Sequence, residues 1–94
     1  MKSIQTLDLI AGTFTPNEAE EILVEMIKSK INFHNLKNFT SMVRNDEPDY
    51  NSKQRIQELV ELREQIIGFT REARKTNRNL RIYSEISIQY EEED

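Results

Sequence analysis

Two stretches of nearly equal length, Pro16 to Val43 and Lys53 to Asn77, carry apolar residues at helical spacing. The segment between them, Asn45 to Ser52, is polar, contains a proline and is rich in turn-forming side chains. At 1.5 Å per residue each stretch would form a helix of roughly 40 Å, so the two can pair along their whole length. The sequence therefore predicts an antiparallel helical hairpin.

A strand is predicted on each side of the hairpin. Leu80 to Tyr90 alternates apolar and polar residues, which indicates a strand with one buried face. Ile4 to Thr13 alternates less regularly, with Leu7, Leu9 and Ala11 assigned to one side and a bend or bulge expected at Gly12. Because a hairpin returns the chain to its starting end, the two strands should meet and pair antiparallel. We expect an α+β fold in the order β-α-α-β.

The start of the first helix has the clearest local signal. Thr15 precedes Pro16 and is followed three residues later by Glu18, which predicts a capping box with proline at the first helical position. Ser52 is expected to cap the second helix, and the asparagines between Ser29 and Asn38 could interrupt the first. A seven-residue repeat predicts the side of helix one that contacts helix two: Ala19, Ile22, Met26, Phe33, Leu36 and Val43.

Length and composition predict one domain that associates with itself. The chain has 94 residues and 36 % hydrophobic content, which suits one modest core over residues 1–90, followed by a disordered acidic tail, 91–94. A two-stranded sheet is marginal in water and leaves both edges free to pair. We therefore expect a homodimer that either extends the sheet or packs two hairpins into a four-helix bundle.

Charge is segregated along the chain, whose formal net charge is −4. The segment from Ser3 to Ile27 contains no Lys or Arg. Near the other end of the chain, five bases lie close together in the sequence: Arg71, Arg74, Lys75, Arg78 and Arg81. Antiparallel helices would bring the acidic and basic segments to the same end, so the bases are interpreted mainly as intramolecular partners. The alternative is that these five bases bind the phosphates of a nucleic acid.

Exposed aromatic side chains are the other candidates for partner binding. Phe39 falls outside the predicted contact between the helices, and Tyr83 should project from the outer face of the last strand. Phe33 and Tyr50 belong to the same group of candidates. Aromatic residues on a surface are frequent anchors at interfaces, although each could equally cover a local piece of core.

Nothing in the sequence indicates catalysis, a cofactor or a metal site. His34 is the single histidine, and no suitable carboxylate lies one helical turn from it. The alternating Asn45, Glu47, Asp49 and Asn51 resemble the start of a calcium loop, but Tyr50 replaces the turn glycine and the closing carboxylate is missing. The sequence contains no cysteine, which excludes disulfides and thiolate chemistry.

The chain begins without an apolar run like that of a signal peptide, and no stretch approaches the ~20 apolar residues of a membrane span. We expect a soluble cytoplasmic protein that does not engage membranes.

Two segments, Gly12 to Leu23 and Lys30 to Phe39, resemble those of short uncharacterised bacterial proteins. The resemblance implies no activity. The sequence as a whole favours a small, non-enzymatic protein-interaction module that forms a homodimer, and the alternative is a small nucleic-acid-associated regulator.

Overall fold

The computed structural model describes residues 4–91, which form four elements in the predicted order. These are β1 (Ile4–Phe14), α1 (Pro16–Asn45), α2 (Tyr50–Lys75) and β2 (Leu80–Gln89). The helices form a hairpin, and β1 pairs with β2 in an antiparallel two-stranded sheet. The α+β class and the β-α-α-β order are confirmed. Of the acidic tail expected at 91–94, all but Glu91 lies outside the described residues.

Helix α1 begins at the predicted capping box and then runs unbroken to Asn45. The backbone N–H of Glu18 donates to Thr15 Oγ1 over 3.1 Å, and the backbone N–H of Thr15 donates to Glu18 Oε1 over 2.9 Å. These reciprocal bonds provide acceptors for two backbone N–H groups that have no carbonyl partner within the helix. The interruption considered between Ser29 and Asn38 does not occur.

The connection between the helices is shorter than predicted. Helix α2 begins at Tyr50 because Asp49, rather than Ser52, is its N-cap: the backbone N–H of Ser52 donates to Asp49 Oδ1 over 3.0 Å. The backbone N–H of Asp49 in turn donates to Asn38 Oδ1 over 2.8 Å, which ties the cap to α1. The prediction that Ser52 caps the helix is therefore wrong, and Ser52 lies buried inside its first turn.

Helix α2 ends without a glycine. Asn77 adopts the left-handed conformation with φ 55°, and its backbone N–H donates to the carbonyl of Arg74. The backbone N–H of Arg78 donates to the carbonyl of Ala73 over 2.9 Å. This pair of bonds is the Schellman arrangement, and it turns the chain into β2.

The side of α1 that contacts α2 matches the predicted one only in part. Glu20, Ile27 and His34 lie seven residues apart; Ile27 is buried, Glu20 bonds to Thr70 and His34 bonds to Ser52. They define the face of α1 toward α2. The predicted contact residues Phe33, Leu36 and Val43 are instead exposed. Of the predicted residues, Ala19 near the start of α1 is buried, whereas from Phe33 onward the sequence pattern identified the wrong one of two apolar flanks.

A β-bulge determines which strand residues share a face. Leu9 has no partner in the register, which shifts between Asp8 and Ile10, while Gly12 pairs regularly with Ile82. Directly opposite residues share a face. The bulge therefore places Leu7 together with Ile10, not with Leu9 and Ala11 as predicted. One face of the sheet collects the apolar pairs Leu7–Ile86, Gly12–Ile82 and Phe14–Leu80.

The molecule is a single layer thick. Its principal extents are 50 × 37 × 14 Å, and the smallest is close to the diameter of one helix. The radius of gyration is 17.0 Å, whereas a compact domain of this length has about 12 Å. Stable domains normally bury apolar faces between two packed layers. Here the core is confined to the line of contact between the helices and to their junction with the sheet.

Candidate interaction surface

A continuous apolar surface crosses one side of the hairpin and reaches the sheet. A groove of about 150 Å³ joins Met26 of α1 to Leu62 of α2. A second groove of about 390 Å³ joins Leu62 and Phe69 to Leu80 and Ile82 of β2. We call these five residues the open face. Phe69 is 68 % exposed, which is unusual for a large aromatic side chain beside an apolar groove.

Helix α1 carries a second apolar feature that continues from the open face. Its residues at alternating spacings of four and three follow a flank of α1 different from the side marked by Ile27 and His34. We call this set the α1 stripe: Ile22, Met26, Ser29, Phe33, Leu36, Thr40 and Val43. We call the end of the hairpin where α1 connects to α2 the closed end, and the end next to the sheet the open end. Ile22 and Met26 are half-buried, whereas Phe33, Leu36 and Val43, toward the closed end, are 61 to 69 % exposed.

Tyr83 lies on the other face of the sheet, opposite Ala11, and is exposed. Its hydroxyl is within 3.1 Å of Asp8 Oδ1 and 2.6 Å of Glu85 Oε2, so it donates to one or other of two carboxylates that face each other across the strands. Hydrogen bonding to Glu85, and secondly to Asp8, raises the pKa of Tyr83 to about 12. The side chain is thus held by its strand neighbours while its ring stays accessible.

Phe39 is 65 % exposed and lies beside the α1 stripe, one residue before Thr40. Tyr50 is exposed at the start of α2. Phe33 packs edge-on against the ring of His34, with ring centroids 5.1 Å apart. The exposed aromatic residues of α1 therefore concentrate toward the closed end of the hairpin.

The five bases of the candidate phosphate site have different surroundings. Arg74 Nη2 lies 3.4 Å from Glu20 Oε1, and Arg74 Nη1 donates to Asn17 Oδ1 over 3.1 Å, so this guanidinium is engaged by α1. Arg81 lies on β2 opposite Thr13. Arg71, Lys75 and Arg78 are exposed around the end of α2.

Glu20 is the acidic partner at this end of the hairpin. The hydrogen bond from Arg74 lowers the pKa of the Glu20 carboxyl, and a bond from the buried hydroxyl of Thr70, 3.0 Å from Oε1, lowers it further. The structure thus joins one acid of the N-terminal segment to one base of the cluster. This is the kind of intramolecular contact that the segregated charges indicated.

The polar residues at the closed end make contacts that hold the two helices of the hairpin together. His34 Nδ1 lies 3.1 Å from Ser52 Oγ, and this contact links the half-buried His34 of α1 to the buried Ser52 of α2. Asp49, one member of the calcium-like alternation, caps α2. Within residues 4–91, no group of three or more His, Cys, Asp or Glu side chains is placed to hold a metal ion.

Two residues of the open face, Leu62 and Phe69, belong to the apolar residues of α2, and their exposure is not evident from the sequence pattern alone. The available signal was the small size of the residues that are buried near them. Ala19, Thr70 and Ala73 form the contact at the open end of the hairpin. Small side chains let helices approach closely, and the larger neighbours then project to the flanks.

Comparisons with family models, with curated proteins and with solved structures find no match to this chain. Neither of the two helices in the described region, 4–91, combines the length and the apolar character needed to cross a bilayer. The physical properties of the surface are therefore the basis for any functional conclusion.

Proposed function

We propose that this chain is a non-enzymatic protein-interaction module that works as a homodimer through its open face. The observation that carries the proposal is the single-layer architecture, which leaves Phe69 and Leu62 exposed beside an apolar groove. A second copy packed on this side would supply the missing layer. The non-enzymatic assignment is supported by the use of His34 in a structural contact with Ser52.

The amount of exposed surface supports the same proposal. The accessible surface is 7861 Å², whereas a folded monomer of this mass is expected to expose about 5,700 Å². The surplus of roughly 2,000 Å² is larger than the ~800 Å² that each partner buries in a specific interface. One isologous interface could therefore remove a large share of it.

Substitution of Phe69 by Glu tests the proposal. Sedimentation equilibrium and light scattering over nanomolar to micromolar concentrations should show a dimer for the unmodified chain. F69E should weaken the association by at least about tenfold, because it places a charge in the apolar contact. Q57E is the matched control, since it adds the same charge at an exposed position of α2 that lines none of the open-face grooves. An unmodified chain that stays monomeric at micromolar concentrations would contradict the proposal.

Nucleic-acid binding is the alternative, and its best support is the exposure of Arg71, Lys75 and Arg78. The engagement of Arg74 by Glu20 weighs against it. Retention on heparin or DNA that falls steeply with salt, and is lost when Arg74 and Arg78 are both changed to Glu, would favour the alternative over the homodimer proposal.

A further inference from the structure

The α1 stripe has the period of a coiled-coil contact but no partner within the described chain. Its successive spacings of four and three residues average 3.5, which keeps a seam in contact with a facing helix over many turns. Helix α2 already occupies the other face of α1, through Glu20, Ile27 and His34. The hairpin therefore does not use most of the apolar residues of the α1 stripe in its own helix–helix contact.

The charges of α1 favour one orientation for a helix packed on the stripe. Residues 16–27 contain four acids and no base, and residues 28–45 contain four bases, Lys28, Lys30, Lys37 and Arg44, and no acid. A parallel copy would align halves of equal charge. An antiparallel copy would align the acidic half of each helix with the basic half of the other, and would also oppose the two helix dipoles favourably.

We propose that two copies pair through the α1 stripe with their α1 helices antiparallel, so that the two hairpins form a four-helix bundle. This inference rests on the proposed homodimer and adds its geometry. A register centred on residue 31 gives the longest overlap of the α1 stripe, from Ile22 to Thr40. It places Met26 opposite Leu36 of the second copy, and Ser29 opposite Phe33 of the second copy.

This arrangement explains more of the exposed surface than pairing through the sheet. An interface formed by adding strand edges would leave Phe33, Leu36 and Val43 in water. The antiparallel bundle instead brings these closed-end residues of each copy to the open end of the other, where the open face provides apolar surface. Because the contact is isologous, both copies bury the same set of residues.

Engineered cysteines test the geometry cleanly because the chain has none of its own. The variants M26C and L36C, mixed and mildly oxidised, should form a disulfide-linked heterodimer. L36C alone should not cross-link efficiently, since the proposed register separates the two copies of this residue by roughly 15 Å along the axis, and a disulfide needs Cα atoms within about 7 Å. N35C mixed with M26C is the control, because Asn35 is exposed on a different side of α1.

The outcomes separate the geometry from the homodimer itself. Circular dichroism and light scattering of each reduced variant first establish that it folds and associates like the parent chain. Efficient self-linking of L36C would show parallel helices and would overturn the proposal while leaving a homodimer in place. A dimeric chain in which M26C with L36C links no better than the control would overturn it as well. A parent chain that is monomeric would overturn both the homodimer proposal and the proposed antiparallel geometry.

Discussion

At the residue scale, the carboxylates of Asp8 and Glu85 lie opposite each other across the strands, and the hydroxyl of Tyr83 lies within hydrogen-bonding distance of both. Directly opposed like charges destabilise a strand pair. A shared donor offsets part of this repulsion. The stability of the sheet therefore depends on whether the phenol of Tyr83 is protonated.

We predict that Tyr83 titrates near pH 12, well above an ordinary tyrosine, because ionisation would remove the proton that hydrogen-bonds to Glu85 and, secondly, to Asp8. An ultraviolet titration of the Y50F/Y90F chain, in which Tyr83 is the only tyrosine, measures this directly. Since the folded-state pKa is raised, the contact stabilises the sheet below about pH 10 and is lost as pH rises through 12. Adding D8N and E85Q should return the midpoint toward 10, and an unchanged midpoint would disprove the stated cause.

Glu20 provides a second, opposite pH dependence. Its pKa is lowered by Arg74 and Thr70, so its contribution to stability is present above its unfolded value of 4.5 and is lost as pH falls through the folded value. E20Q should cost about 0.2–1 kcal/mol at pH 7, because the pair is about one third exposed. Urea unfolding at pH 7 and pH 3 should show the difference between E20Q and the parent shrinking in acid. E21Q, an exposed neighbour, should not reproduce this pattern.

At the element scale, the capping box at Thr15 and Glu18 determines where α1 begins. T15A should reduce the free energy of unfolding by about 1 kcal/mol, because the amide of Glu18 loses its acceptor. T15S keeps the hydroxyl and should retain most of the stability. Urea unfolding, together with amide exchange in the first turn of α1, measures both effects. An equal loss in T15S would show that the methyl group, not the capping bond, matters.

The elements themselves could be predicted from sequence because their signals are local. The capping box, the Asn77 terminus of α2 and the alternation from Leu80 onward depend on neighbouring residues only. The face of α1 that contacts α2 could not be predicted in the same way. Phe33 and Ile27 lie on two different apolar flanks, and only tertiary packing decides between them. The deciding contacts, such as His34 with Ser52, involve residues far apart in sequence.

The exposure of the candidate surface residues could be predicted only in part. Tyr83 and Phe39 were identified as exposed aromatics, and both are exposed. Phe69 was not, because its apolar neighbours in α2 made it resemble a core residue. The register of β1 was also missed: a bulge at Leu9 cannot be told from an irregular strand until the partner strand is known.

At the scale of the whole molecule, a single layer with a radius of gyration of 17.0 Å has little core for its length. We therefore predict that stability depends on protein concentration, since binding of a second copy stabilises only the folded state. The midpoint of thermal unfolding, followed by circular dichroism, should rise as concentration increases from micromolar to hundreds of micromolar. F69E should flatten this dependence while Q57E keeps it. A midpoint that is independent of concentration would indicate a self-sufficient monomer.

The unpaired Leu9 is the extra residue that lets Leu7 and Ile10, three positions apart in sequence, share one face of the sheet. Deleting Leu9 would remove the bulge and leave the pairs on both sides of it unchanged, so that Leu7 and Ile10 would share that face in strict alternation. A bulge bends its strand and increases the local twist. A one-residue deletion at this position should therefore straighten the outer half of the sheet while both of its faces keep their present residues.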